Sequence, residues 1–116
     1  MTPIQLRSLI NRMAELKSLP YGWDGYQGVP VNNECVWFAI RFFNELGWEN
    51  FPMPSLVPGS DGTLQVQWNM GGFDIEVDIV GENDAFYTIL NTNTGKHEDG
   101  VIDGGFNIVK DFIKNI

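Results

Sequence analysis

The sequence predicts an α+β fold: two N-terminal helices, an antiparallel β-meander of three to five strands and a C-terminal helix, forming one domain over residues 1–116. Apolar residues recur at spacings of three and four near both ends of the chain, which is typical of helices. Between the ends, two runs of alternating apolar and polar residues are joined by Gly71-Gly72, which is typical of a hairpin. We expect the helices to cover one sheet face and the other face to be polar.

The first helix has a clear start signal. Thr2 suits the N-cap, Pro3 the first helical position, and Gln5 the closing position of a capping box. The helix is expected to end before Pro20. Its apolar stripe consists of Leu6, Leu9, Ile10, Met13 and Leu16.

Residues 19–30, which we call the clasp, read Leu-Pro-Tyr-Gly-Trp-Asp-Gly-Tyr-Gln-Gly-Val-Pro. Glycine permits positive φ and proline fixes φ, so this composition predicts a specified turn system, with its three rings buried or half-buried between two helices. In the structural interpretation, which we favour, Trp23 closes the end of the core and Asp24 accepts backbone N–H bonds. In the functional one, rings beside an acid form an interaction hot spot. The clasp residues concerned are Gly22, Trp23, Asp24, Gly25 and Tyr26.

A second helix is expected from Asn32 or Asn33 to about Leu46, with Gly47 at its C-terminal stop. It is apolar nearly all round, whereas a surface helix of a small domain shows one apolar stripe. Either it lies between the first helix and a sheet, which we favour, or one of its faces meets another molecule.

The remaining chain alternates between strand patterns and turn signals. A short edge strand should end at Pro58, and strands are expected over 64–70, 73–79 and 85–90. The inward-facing residues of the last of these are unclear, because apolar side chains stand next to each other along it. A short, charged edge strand is expected over 96–102. The C-terminal helix is predicted by Phe106, Val109, Phe112, Ile113 and Ile116.

The net charge of −8 is carried by one part of the chain. Residues 1–47 are balanced, whereas residues 48–109 contain ten carboxylates and a single basic residue, Lys96. This charge disfavours direct binding to nucleic acid or to an anionic membrane surface and favours a basic protein partner.

Asp74, Glu76 and Asp78, which we call the acidic ladder, occupy alternate positions of one strand. The three side chains should therefore point from the same sheet face, with about 6.8 Å between neighbouring ones. Gln65 and Gln67 on the neighbouring strand should point the same way, and the turn residues Glu82 and Asp84 should extend the row. A solvated face is one interpretation. The other is a row of carboxylates that stands in for backbone phosphates and attracts a basic groove.

No pattern indicates catalysis. Cys35 lies in an apolar helix and His97 in a charged turn, and these two residues cannot supply a structural zinc site. The glycines lack a P-loop lysine, and the carboxylates do not have EF-hand spacing. We therefore expect no enzyme, cofactor or metal; a catalytic role would need a carboxylate pocket at Asp24. The lone cysteine, the lack of a long apolar run and the absence of a signal segment favour the cytoplasm of a bacterial host cell.

Two motifs resemble known sequences: Leu-Pro-x-Gly-Trp-Asp-Gly-Tyr-x-Gly-x-Pro at residues 19–30 and Pro-x-x-Asp-Gly-x-x-Gln-x-x-Trp at residues 58–68. The chain is similar over about residues 15–80 to small uncharacterised bacterial and phage proteins that carry both. The resemblance implies a fold module and no particular activity. At the level of class alone, small acidic phage proteins include anti-CRISPR inhibitors that mimic DNA.

The sequence thus predicts a non-catalytic acidic binding protein that inhibits or modulates a basic partner by occupying its nucleic-acid-binding surface, as a CRISPR effector complex would offer. The expected contact residues are Gln65, Gln67, Asp74, Glu76, Asp78, Glu82 and Asp84. The alternative is a structural or antitoxin-like module that forms a homodimer through the second helix. That interface would use Trp37, Phe38 and Phe42.

Overall fold

The predicted fold class and element order are confirmed by a computed structural model that describes residues 1–47, 51–102 and 106–116. Two acids of the charged segment, Glu49 and Asp103, lie outside the described residues. The helices are α1 (Pro3–Lys17), α2 (Asn33–Leu46) and α3 (Asn107–Lys114). The strands are β1 (Ser55–Pro58), β2 (Leu64–Met70), β3 (Phe73–Gly81), β4 (Asp84–Asn91) and β5 (His97–Ile102).

The helix ends follow the predicted signals. The Thr2 hydroxyl accepts a 3.2 Å bond from the Gln5 N–H, and the Gln5 side chain accepts a 2.9 Å bond from the Thr2 N–H, which completes the capping box. Gly47 ends α2 with φ of 79°, a left-handed conformation that glycine adopts without steric cost. Asn32 is the N-cap of α2, but its side chain makes no capping hydrogen bond.

The five strands form one antiparallel sheet in chain order, β1-β2-β3-β4-β5. The hairpin between β2 and β3 turns at Gly71 and Gly72, which both have positive φ, as a two-residue turn of this kind requires. The predicted charged edge strand exists as β5, and β1 ends at Pro58 on the opposite edge.

The core lies between the sheet and the helices. α2 packs directly on the sheet: the Phe42 and Trp68 rings are 6.2 Å apart, and the Cys35 thiol donates to the Ile79 carbonyl at 3.4 Å. α1 lies beside α2 and contacts β1, so the two helices form one layer. α2 thus contacts both α1 and the sheet, as the favoured interpretation expected, but its outer side, which includes Trp37, is exposed.

The alternation of β4 becomes clear in the structure. Ala85, Tyr87 and Ile89 are buried towards the helices. Phe86 and Leu90 alternate with them and belong to the opposite face, which we call the open face. The expectation of a wholly polar open face is thus wrong, because β4 contributes apolar side chains to both faces.

Candidate interaction surface

The strand register arranges the open face in rows across the sheet. The first row consists of Val57, Gln65, Asp78, Phe86 and Val101. The second consists of Ser55, Gln67, Glu76, Thr88 and Asp99. The third consists of Asn69, Asp74, Leu90 and His97. The acidic ladder therefore occupies the central strand, between the amides of β2 and the mostly apolar outer residues of β4.

The amides of β2 are hydrogen-bonded to the ladder, which confirms that Gln65 and Gln67 share its face. The Gln65 side-chain N–H₂ donates to Asp78 at 2.7 Å and to Glu76 at 3.2 Å. Gln67 in turn donates to the side-chain oxygen of Gln65. The donors in this network are neutral, so they orient the carboxylates without compensating their charge.

The negative charges of the acidic ladder have no basic side chain paired with them in the part of the chain that the structure describes. Burial raises the pKa of Glu76, and the carboxylates of Asp78 and Asp74 raise that pKa further. Across the described ranges, 1–47, 51–102 and 106–116, no lysine or arginine forms an ion pair with the ladder. The ion pairs found there are Arg12–Glu15 and His97–Asp99. The row therefore holds neighbouring like charges, two of which accept hydrogen bonds from the neutral amide of Gln65.

The structure does not bring the two turn acids into these rows. Asp84 pairs with Gly81 at the end of the β3–β4 ladder, beyond an irregularity in register after Ile79. Glu82 lies in the turn itself, and its carbonyl accepts a 2.6 Å bond from the Arg41 guanidinium of α2. The predicted contact set thus divides into five central residues, on β2 and β3, and two acids at one end.

The clasp is held by backbone and side-chain hydrogen bonds, as predicted for Asp24. One oxygen of its carboxylate, Oδ1, accepts N–H bonds from Tyr26 and Gly28, each 2.9 Å long. These bonds lower the pKa of Asp24. At Gly28 a Cβ would lie 2.7 Å from the Asp24 carboxyl carbon, so a larger residue would have to displace the Asp24 side chain. The Gly22 N–H donates a 2.7 Å hydrogen bond to the Gly28 carbonyl, and this bond closes the loop.

The predicted burial of the clasp rings is wrong for two of the three rings. Tyr21 and Tyr26 are 81% and 86% exposed. Trp23 is half-buried and does not belong to the residues that pack on the core; its indole N–H donates to the Val29 carbonyl at 2.7 Å. Hydrogen bonds thus hold the loop although two of its three rings are exposed.

The clasp meets the turn between β1 and β2, a relationship that the sequence analysis missed. The Val29 N–H donates to the Ser60 carbonyl and the Asn32 N–H to the Gly62 carbonyl, both at 2.9 Å. The two motifs of the resemblance are thus joined in space. Both contain an Asp-Gly pair, which predicts a turn in each segment but does not indicate that the two turns meet.

Asp61, in that β1–β2 turn, connects the clasp to the open face. A shallow depression of about 830 Å³ lies beside the clasp, and a smaller one of about 280 Å³ lies beside the ladder. Asp61 lines both of them. The first is lined by Asp24, Tyr26, Gln27, Val29, Ser60 and Asp61. The second is lined by Val57, Pro58, Gly59, Asp61, Thr63, Leu64, Gln65, Asp78 and Val80.

On the helix side, an apolar groove of about 490 Å³ runs between α1 and α2. Trp37 on α2 is 62% exposed, whereas Phe38 and Phe42, which the predicted homodimer interface also used, are buried in the core. Only Trp37 of that set is available on the surface. The groove is lined by Leu6, Ile10, Met13, Ala14, Lys17, Val36 and Ile40.

The nucleophile and base candidates are not brought together. Cys35 is buried between α2 and the sheet, and burial raises the pKa of its thiol. His97 belongs to the opposite, open face, where its imidazole is 3.7 Å from the Asp99 carboxylate. In the part of the chain that the structure describes, no group of three histidine, cysteine or acidic residues could hold a metal ion. No helix there is long and apolar enough to cross a membrane.

Comparison with known proteins finds no match among protein-family models, curated proteins or solved structures. The resemblance of the two motifs to small bacterial and phage proteins therefore stays a prediction, and a functional proposal depends on the geometry and charge of the surface.

Proposed function

We propose that the protein is a non-catalytic acidic binding protein that covers a basic, nucleic-acid-binding surface of a protein partner with its open face. One observation carries this proposal: Asp74, Glu76 and Asp78 stand in a partly buried row whose hydrogen-bond donors are neutral. Like charges in such a row repel one another, and the basic groups of a partner would remove that cost on binding.

The composition of the open face also suits a protein partner. Phe86 and Val101, which follow Asp78 along one row, are exposed apolar side chains. Stable protein interfaces combine an apolar centre with charged groups that set the register of the partner. A face with carboxylates alone would bind any cationic surface, whereas an apolar strip beside the row adds shape and specificity.

The class of partner follows from the charge. A regular row of carboxylates attracts the lysine and arginine side chains that otherwise hold nucleic-acid phosphates, while nucleic acid itself is repelled. A CRISPR effector complex is one partner of this class, which would make the protein an inhibitor of the kind that phages encode.

The experiment is a displacement assay with double-stranded DNA bound to a cellulose resin and loaded with the DNA-binding proteins of a bacterial lysate. We expect the unaltered protein to release a subset of them. The triple variant Asp74→Asn, Glu76→Gln, Asp78→Asn should release far less. The control is Glu15→Gln, Glu34→Gln, Glu45→Gln, which removes three charges as well, but from exposed positions on the helices.

The control variant should behave as the unaltered protein, because the position of the charges and not their total decides binding. Equal release by the unaltered protein and the ladder variant, with both folded by circular dichroism, would overturn the proposal. Equal losses in both triple variants would reduce it to an effect of net charge and would overturn it as well.

Self-association through the helix layer is the second candidate, favoured by the exposed Trp37 and the apolar groove. Light scattering of the unaltered protein and of Trp37→Ser tests it. A concentration-dependent dimer that Trp37→Ser weakens would support it, and a monomer at high concentration would exclude it.

A further inference from the structure

The rings of two clasp tyrosines do not belong to the residues that pack on the core. The rings of Tyr21 and Tyr26 are almost fully exposed, although the loop that bears them is fixed by its own hydrogen bonds. Turn geometry explains the glycines and Asp24 of the clasp, but it does not require aromatic side chains at these positions. Rigidly held, exposed tyrosines are characteristic of surfaces that bind other proteins.

The Tyr26 ring lies in chemically distinctive surroundings. It lines the larger depression together with the carboxylates of Asp24 and Asp61. The hydrogen bonds that hold these carboxylates, from Tyr26 and Gly28 to Asp24 and from Thr63 to Asp61, reach Oδ1 in each. Oδ2 of each receives none of these bonds. An aromatic face beside such carboxylates suits a planar guanidinium group, which stacks on the ring and donates N–H bonds to the acids.

The depression shares a lining residue with the smaller depression beside the acidic ladder. Asp61 lines it and also lines the smaller depression that contains Gln65 and Asp78. Carboxylates therefore follow one another from Asp24 through Asp61 to the acidic ladder. A basic partner that lies on the ladder and extends towards the clasp would meet further carboxylates at Asp61 and Asp24.

We propose that the depression between the clasp and the β1–β2 turn binds an arginine side chain of the same basic partner, with the guanidinium against the Tyr26 ring and between Asp24 and Asp61. This inference rests on the proposed function, since it assigns a second, geometrically specific contact to the same partner. The ladder supplies attraction to any cation, and the clasp selects arginine.

The test uses two fluorescent probes of equal length, an arginine-only and a lysine-only peptide, with binding followed by anisotropy. We expect the unaltered protein to prefer the arginine peptide. Tyr26→Ser should weaken its binding about fivefold and remove the preference, because a ring contact favours guanidinium over ammonium. Tyr26→Phe should keep both properties. Ile4→Ser, which removes an exposed apolar side chain from α1, is the control and should change neither.

The variants separate this inference from the proposed function. If the ladder variant binds both peptides as the unaltered protein does, or if the unaltered protein binds neither, the proposed function fails. If the ladder variant loses binding while Tyr26→Ser retains both the affinity and the preference, only the clasp site is excluded. Equal losses for both peptides in Tyr26→Ser would also exclude it, because a loss of that kind does not depend on guanidinium recognition.

Discussion

The side-chain amide of Gln65 donates a 2.7 Å hydrogen bond to Asp78, the residue directly opposite it on β3. The same nitrogen also donates a 3.2 Å hydrogen bond to Glu76, which is two residues from Asp78 on β3. A neutral amide thereby bridges two carboxylates of like charge. Its two N–H groups satisfy one oxygen of each acid, but they leave the repulsion between the acids in place.

Glu76→Gln should stabilise the protein at neutral pH. The substitution keeps a side-chain oxygen for Gln65 and removes the central charge of the ladder, whose pKa is raised by burial and by Asp78 and Asp74. Cross-strand and same-face charge effects of this type predict a rise in Tm of about 2 °C. Differential scanning fluorimetry measures it, with Glu82→Gln in the exposed turn as the control.

The gain from Glu76→Gln should disappear in acid. A carboxyl whose pKa is raised on folding binds its proton more tightly in the folded state, so stability increases as the pH falls through the folded pKa. Below the ordinary pKa of glutamate the unaltered side chain is neutral, as glutamine is. A difference in Tm that stays constant between neutral pH and that range would contradict the assignment.

Asp24→Asn should have the opposite pH dependence. The N–H groups of Tyr26 and Gly28 lower the pKa of Asp24, so the ionised form stabilises the fold above the ordinary pKa of aspartate. That stabilisation is lost as the pH falls through the lowered, folded pKa. The variant should therefore have a lower Tm at neutral pH and approach the unaltered protein in strong acid. A variant that is more stable at neutral pH would show that the clasp does not depend on this charge.

Gly28→Ala should destabilise the protein by about 1–3 kcal/mol, because the added Cβ would lie 2.7 Å from the Asp24 carboxyl carbon and 2.9 Å from the Trp23 indole nitrogen. Gly81→Ala is the matched control, since its Cβ would meet only an ordinary contact 3.9 Å away. Urea unfolding compares the two. Equal stability of Gly28→Ala and the unaltered protein would mean that the clasp is looser than the structure shows.

The features that were predictable from sequence are those set by local rules. The capping box of Thr2 and Gln5 and the glycine turn of the central hairpin need only neighbouring residues, and each was expected correctly. The same holds for the acidic ladder, because alternation along a strand places Asp74, Glu76 and Asp78 on one face.

The features that were not predictable depend on contacts between distant segments. β4 has apolar residues on both faces, so its inward side is decided by its partners and not by its own pattern. The clasp contains more aromatic rings than the core accepts, and the sequence does not show which of them remain outside. The bond from Val29 to Ser60 joins segments that are far apart in the chain, and no local rule indicates it.

The order of elements along the chain has a consequence for synthesis. α2 buries seven of its fourteen residues, mainly against strands that follow it, and β5 ends 56 residues after α2 does. A ribosome adds about 5–20 residues per second, so the nascent chain exposes this helix for about 3–11 s before the sheet that covers it is complete. Chaperone binding and low expression temperature should therefore matter more for the yield of this protein than its small size suggests.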